Sequence, residues 1–231
     1  MTDTTNTTTP PASDPIDVQD MVVVHRVFRR ELGTIPELIL ATPAGDVPRA
    51  EVVAGHARLV LAGLHLHHTG EDDLLWPVLL TRLPAGDPTL TDLIARMQVQ
   101  HAAIDGALGA LGAALDRWEA EARPAVATEA ADLMDRLRGL VVEHLDAEEQ
   151  HVLPLAARTL TEAEWAAIGQ AGVAKMTRAE LPLMFGCVLE GASADERQAL
   201  LQALPLPVRV LMATWGGRHY RRYINRVRGA R

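Results

Sequence analysis

Apolar residues recur at steps of three and four along four stretches of this chain. The first seam runs Met21, His25, Phe28, Leu32, Ile35, and the second Val53, His56, Val60, Leu64, His67, Leu74, Val78. The third runs Met97, His101, Ile104, Leu108, Leu111, Leu115, Trp118, and the fourth Leu133, Leu137, Leu140, His144, His151, Leu155. Such spacing lays a stripe along one face of a helix, so four amphipathic helices are predicted. Breaks fall at Thr42-Pro-Ala-Gly-Asp-Val-Pro48, at Leu83-Pro-Ala-Gly-Asp-Pro88, with Thr89 or Thr91 as the cap that follows, and at Arg123-Pro124. Short connections join antiparallel neighbours. The expected fold is therefore all-α, an up-down-up-down four-helix bundle. Pro77 and Pro154, late in the second and fourth helices, should kink or shorten the final turns.

Four candidate ligand histidines, His25, His67, His101 and His144, sit on these seams, where a polar side chain needs a partner. His25 and His67 lie at nearly equal distances from the first turn, as do His101 and His144 from the Arg123-Pro124 turn. At 1.5 Å per residue all four fall at one depth of the bundle, to within roughly one helical turn.

The histidines also belong to a duplication. His25 precedes a His67-x3-Glu71 pair, and His101 precedes a His144-x3-Glu148 pair. The stretch from His67 through Glu71-Asp72 to Trp76-Pro77 aligns with that from His144 through Glu148-Glu149 to Leu153-Pro154, a period of about 77 residues. Positions i and i+4 share a helix face, so each pair can aim two donors at one ion. Four imidazoles and two carboxylates suit two transition-metal ions bridged by carboxylate inside a bundle. Mixed imidazole and carboxylate ligands point to iron, manganese or zinc. Glu149, one position off the inward face, is expected to leave metal loading unchanged. His65 and His68 flank His67 on other faces, where they read as surface residues or as supports of a ligand; His68, with Asp105 and His151, is also a candidate additional ligand. His56 reads as a hydrogen-bonded core histidine. His151, on the fourth seam beyond His144, either lines a small-molecule pocket or ends in a polar mouth.

Composition narrows the remainder. The chain has 231 residues, a net charge of −8 and one cysteine, Cys187. An acidic chain does not favour nucleic acid, and a single cysteine excludes an internal disulfide framework and fits a reducing cytoplasm. No apolar run reaches the length of a membrane span. Residues 1–16, rich in Thr and Pro, read as a disordered tail. Residues 17–160 form the candidate bundle. Residues 161–231 read as a C-terminal helical extension, opened by a capping box at Thr161-Glu-Ala-Glu164 and closed by an Arg-rich end that offers a candidate protein or membrane-surface contact.

The signature His67-His68-x2-Glu71-Asp72-x3-Trp76-Pro77, with its second copy, resembles the hemerythrin family, in particular the bacterial hemerythrin-like proteins with an HHE cation-binding domain. That resemblance implies an oxo- or hydroxo-bridged pair of iron ions, with manganese as the alternative. His25, His67, His101 and His144 would be terminal ligands and Glu71 and Glu148 bridges. It implies a cytoplasmic protein that binds, senses or detoxifies dioxygen, peroxide or nitric oxide. An oxidase or peroxidase enzyme, or an interaction protein that reports iron state, are the alternatives. The invertebrate carriers of the family have a His-x3-His pair on the third helix; here the second position is Asp105. It is either a replacement ligand or a partner of Arg29, its counterpart in the repeat.

Overall fold

The structure is a computed structural model that describes residues 14–82 and 88–229. The expected tail before Asp14 and most of the expected second turn, from Leu83, lie outside the described residues. Within them the chain is helical throughout and contains no strand. Among the described residues no helix is long and apolar enough to cross a membrane.

The long helices are α1 (Gln19–Leu40), α2 (Val47–Gly70), α4 (Pro88–Glu121) and α5 (Pro124–Ala147), with α3 (Trp76–Arg82) and α6 (Leu153–Thr159) continuing α2 and α5. The local chemistry of their ends is simple. Asp46 caps α2 by accepting from the Arg49 N–H at 3.1 Å, and Pro124 opens α5, where a missing N–H costs nothing. Gly45 takes a left-handed φ of 78° in the α1–α2 turn, which an L side chain rarely adopts. Its N–H donates to the Ala122 carbonyl at 3.0 Å, which joins that turn to the one between α4 and α5. Helix α1 packs on α5 and α2, and α4 packs on α5 and α2. Their shared core includes Leu32, Ile35, Leu64, Ile104, Leu111, Trp118, Met134 and Leu137.

The two prolines do something different from the expected kink. One π-helical turn, Glu71–Leu75, separates α2 from α3, and another, Glu148–Val152, separates α5 from α6. The Glu71 carbonyl accepts from the Trp76 N–H and the Glu148 carbonyl from the Leu153 N–H, each five residues on. Each wide turn ends two residues before the proline, which enters as the second residue of a fresh α segment, where its lost donor matters least. The extra residue also moves the buried stripe on by one. Where an uninterrupted helix would bury Leu74, Val78, His151 and Leu155, the chain fully buries Leu75, Leu79, Val152 and Ala156. The fourth seam differs further upstream too: Leu140 is exposed and Leu133 half-buried, while Met134 and Val141 face inward.

After α6 come α7 (Glu162–Lys175), α8 (Glu180–Gly191), α9 (Ala194–Gln202), α10 (Leu206–Leu211) and, beyond a third π turn, α11 (Gly217–Arg228). The capping box at Thr161 and Glu164 is present, and Ser193 with Glu196 forms another. These helices are docked. Trp165 and Ile168 of α7 join Met21, Leu75 and Met97 in one cluster. Met184, Cys187 and Val188 of α8 and Tyr220, Ile224 and Val227 of α11 cover Val23, Val27 and Leu59 on α1 and α2. Part of the Arg-rich end is used internally. Arg228 grips Glu190 with two bonds of 2.7 and 2.8 Å, and Arg49 of α2 donates to the Arg226 carbonyl at the end of α11.

His56 is the bonded core histidine expected of it. It lies 3.1 Å from the buried Glu31 and 2.9 Å from the Tyr223 hydroxyl. Burial would raise the Glu31 carboxyl, but His56 and Arg30 outweigh it and hold the group below its ordinary range. Cys187 is buried, and its thiol is pushed up to about 12 chiefly by burial.

The closest of these packings is testable. A Cβ on Gly186 would lie 2.2 Å from the Tyr220 ring. Gly186→Ala should therefore push α11 off α8 and destabilise the chain by about 1–3 kcal/mol, the usual cost of overpacking. Gly63→Ala, which meets only the flexible end of Met184, should cost less. Thermal melts, with hydrogen exchange over residues 217–228, check both.

Candidate metal centre

The π turns begin at the two glutamates that the duplication singles out. Helix α2 delivers His67, His68 and, at its end, Glu71; α5 delivers His144 and Glu148; α1 and α4 deliver His25 and His101. All seven side chains are buried or nearly so. His25, Glu71, His144 and Glu148 show no exposure, and His67 has 8% of its side chain exposed.

The polar atoms face one another. The Nε2 atoms of His25 and His67 lie 3.2 Å apart, and those of His101 and His144 3.1 Å apart. Glu71 sits between two imidazoles, its Oε1 3.1 Å from His67 Nε2 and its Oε2 3.3 Å from His101 Nε2. Glu148 Oε2 lies 3.2 Å from His25 Nε2 and 3.9 Å from His144 Nε2. Each carboxylate thus meets one histidine of its own hairpin and one of the other. Despite these distances, none of the four carboxylate oxygens has a well-oriented hydrogen-bond donor. Two groups emerge with ligand atoms all within 4.8 Å of one another, namely His25, His67, Glu71 and Glu148, and His68, His101 and His144. Lone pairs converging on a common point, away from water, fit a metal cation better than any hydrogen-bonded arrangement.

The outward nitrogens explain why the rings point this way. His25 Nδ1 lies 2.8 Å from Glu149 Oε1, and His101 Nδ1 2.9 Å from Asp72 Oδ1. His144 Nδ1 faces Gln100 Oε1 at 3.3 Å. Donating Nδ1–H outward leaves the Nε2 lone pair inward, and it raises the basicity of the ring. The orienting acids are themselves held: the Trp76 indole donates to Asp72 at 2.8 Å, and Arg29 to Glu149 at 2.6 Å. In both hairpins the acid that follows the inward glutamate steers the lone histidine of the other hairpin.

Several expectations change here. Glu149 is not a bystander, because it orients His25. His68, expected on the surface or in support, is 2% exposed and inside the cluster. Asp105 is on the outer face, 3.1 Å from His65, with 49% of its side chain exposed. It neither reaches the cluster nor meets Arg29, which pairs with Asp146 and Glu149. The i+4 step from His101 therefore lands on the outer face of α4. His151 is exposed as well, since the π turn carries it off the seam. The sequence signal for Asp72 and Glu149 was present, an acid directly after each glutamate, but a regular helix gave no reason to send either toward a histidine across the bundle.

Without a cation, protons must balance the charges. Burial, with Glu148 and Asp72 nearby, pushes the Glu71 carboxyl well above its ordinary range. For Glu148 burial acts the same way, but His25 outweighs it and the carboxyl stays low. Burial pulls His25 down, yet Glu148 and Glu149 raise it on balance. Burial lowers His67 and His68 well below the ordinary histidine value and His144 to about 4. In the cation-free site these shifts favour a His25–Glu148 ion pair and the neutral form of Glu71.

Residues 17–156 match the family described as Hemerythrin HHE cation binding domain. No curated protein and no solved structure gives a match.

The pH dependence of the cation-free protein follows from these shifts. Below about 6.5 the unfolded chain protonates the residues 67, 68 and 144 imidazoles, while the folded chain keeps them neutral. More protons on the unfolded state mean stability falls as pH falls. The extra proton on Glu71 acts oppositely, and so does that on His25 near 6.5 and above, but below that value the three imidazoles outweigh the one carboxyl. The melting temperature of the chelated protein should drop from pH 6.5 to 4.5; a constant or rising value in a thermal titration would contradict this charge assignment.

Proposed function

The chain belongs to the hemerythrin family, and from that premise we propose that it is a di-iron protein that binds and senses or removes dioxygen, peroxide or nitric oxide. In this reading α1, α2, α4 and α5 form the family's up-down-up-down four-helix bundle, which their mutual packing supports. His25, His67, His101 and His144 are terminal ligands, and Glu71 and Glu148 bridge two ions. The observation that carries the reading is the position of each glutamate between imidazoles of both hairpins, with carboxylate oxygens that lack an aligned donor. One shared carboxylate from each side is what two adjacent cations require. Manganese is the alternative metal on the same donors.

The size of the reactant follows from burial. Phe28, Leu64, Leu75, Trp76, Ile104 and Leu145, on the same helices, are at most 2% exposed. A centre so enclosed suits reactants of two heavy atoms. When bound, iron supplies one-electron redox change and an affinity for such small oxidants. The protein's contribution is to fix the imidazole tautomers through Asp72, Glu149 and Gln100, and to keep bulk water out.

Iron reconstitution followed by metal analysis tests the reading, with two irons per chain expected and one or none refuting it. Addition of air, peroxide or nitric oxide to the reduced protein should then change its optical spectrum. Glu71→Ala or Glu148→Ala should lose at least one iron. Asp72→Ala and Glu149→Ala should keep the fold and weaken iron binding by about 10–100-fold, as loss of an orienting acid does elsewhere. Asp105→His should leave iron content unchanged, because residue 105 faces solvent.

A further inference from the structure

The six residues of the duplicated pattern leave one buried histidine unexplained. His68 is 2% exposed, and neither ring nitrogen has a hydrogen-bond partner. Leaving two polar groups unmet in the interior is costly. The position does not demand a polar residue. Its counterpart in the second repeat is Leu145, which is fully buried in the apolar core. The chain therefore breaks its own repeat to place an imidazole where a leucine would pack.

The surroundings of the ring show what it faces. It stacks on His101 with centroids 4.3 Å apart and planes 15° apart, and it meets His144 edge-on at 4.9 Å. Residues 67 and 68 are consecutive on α2 and so point about 100° apart. His67 falls in the group with His25, Glu71 and Glu148, whereas His68 falls in the group with His101 and His144. One helix thereby presents an imidazole to each of two neighbouring cells. The second cell otherwise holds only two histidines, with Glu71 Oε2 at 3.3 Å from one and Glu148 Oε2 at 3.9 Å from the other.

We propose that His68 is a ligand of the cation in the His101–His144 cell, so that the two ions are held unequally, with three imidazoles on one and two on the other. This rests on the two-ion reading above. It makes the centre asymmetric although the duplication would make it symmetric.

Cobalt(II), added alone to the full-length protein, is the probe, since its visible bands report ligand number. The unaltered chain should bind two ions. His68→Leu, which copies the Leu145 environment, should retain the helical circular dichroism of the parent. It should bind one ion as before, bind the second at least about ten-fold more weakly, and change the bands of that ion alone. In His68→Ala, free imidazole should restore the parent bands, which a purely structural role would not permit. Parental affinity and bands for both ions in His68→Leu, or no response of His68→Ala to imidazole, would overturn the proposal. Failure of the unaltered chain to bind two ions would instead overturn the two-ion reading, and is seen before any substitution is made.

Discussion

Two glutamates buried to zero exposure beside five histidines form the constraint on which the rest of the molecule depends. A carboxylate in an apolar interior is expensive unless paired, and here the nearest groups are imidazole nitrogens whose lone pairs point the same way. Without a cation, the arrangement survives by moving protons, with Glu71 held neutral and His25 charged against Glu148. A cation replaces those protons and gives all the lone pairs one target, so binding energy and folding energy become linked. The core around the site is correspondingly uniform. Ile104, Leu145, Leu75 and Trp76 are buried there, and Glu149, Asp72 and Gln100 reach the His25, His101 and His144 rings from outside, on Nδ1.

That outer contact explains why the two hairpins must pair. Neither hairpin orients its own lone histidine. Asp72 of the first steers His101 of the second, and Glu149 of the second steers His25 of the first. Trp76 and Arg29 then fix those acids, so the geometry of the cluster is set by residues up to two layers away. The C-terminal helices add a third layer. Helices α8 and α11 cover α1 and α2, and a network of Glu31, His56, Arg30, Arg228 and Glu190 joins them. The two helices that carry His25 and His67 are therefore clamped on the side away from α4 and α5.

The sequence was most legible where a regular helix obeys its period. The seams of α1 and α4, the proline and glycine breaks after α1 and α4, the depth match of the four histidines and the Thr161 capping box all rest on local rules, and each has a counterpart in the structure. What periodicity missed shares one cause. A π turn at Glu71 and another at Glu148 add a residue to the helix, so every position beyond them rotates by about 100°. That rotation buries Leu75, Leu79, Val152 and Ala156 in place of the residues before them, and it turns His151 out to solvent. The clue was the Pro six residues after each glutamate, a spacing repeated in both hairpins. Upstream of the π turns, the missed inward face of His68 has another origin. Adjacent residues cannot share a helix stripe, and the stripe alone does not show that a broad interior with two cells can accept both.

The same reasoning separates this chain from one built on strict symmetry. If the duplication alone shaped the centre, residue 68 would be a leucine like Leu145, and Asp105 and Arg29 would meet as equivalent positions. Instead Arg29 is drawn to Glu149 and Asp146, because Glu149 must be held against His25. Asp105 is left to His65 on the surface, and Asp72 takes its fixing donor from Trp76. One hairpin uses an arginine from another helix for this task and the other an indole from its own. The departures from the repeat are thus not scattered. They fall beside the cluster, at residues 29, 68 and 76, where two initially equivalent halves have been given different electrostatic surroundings.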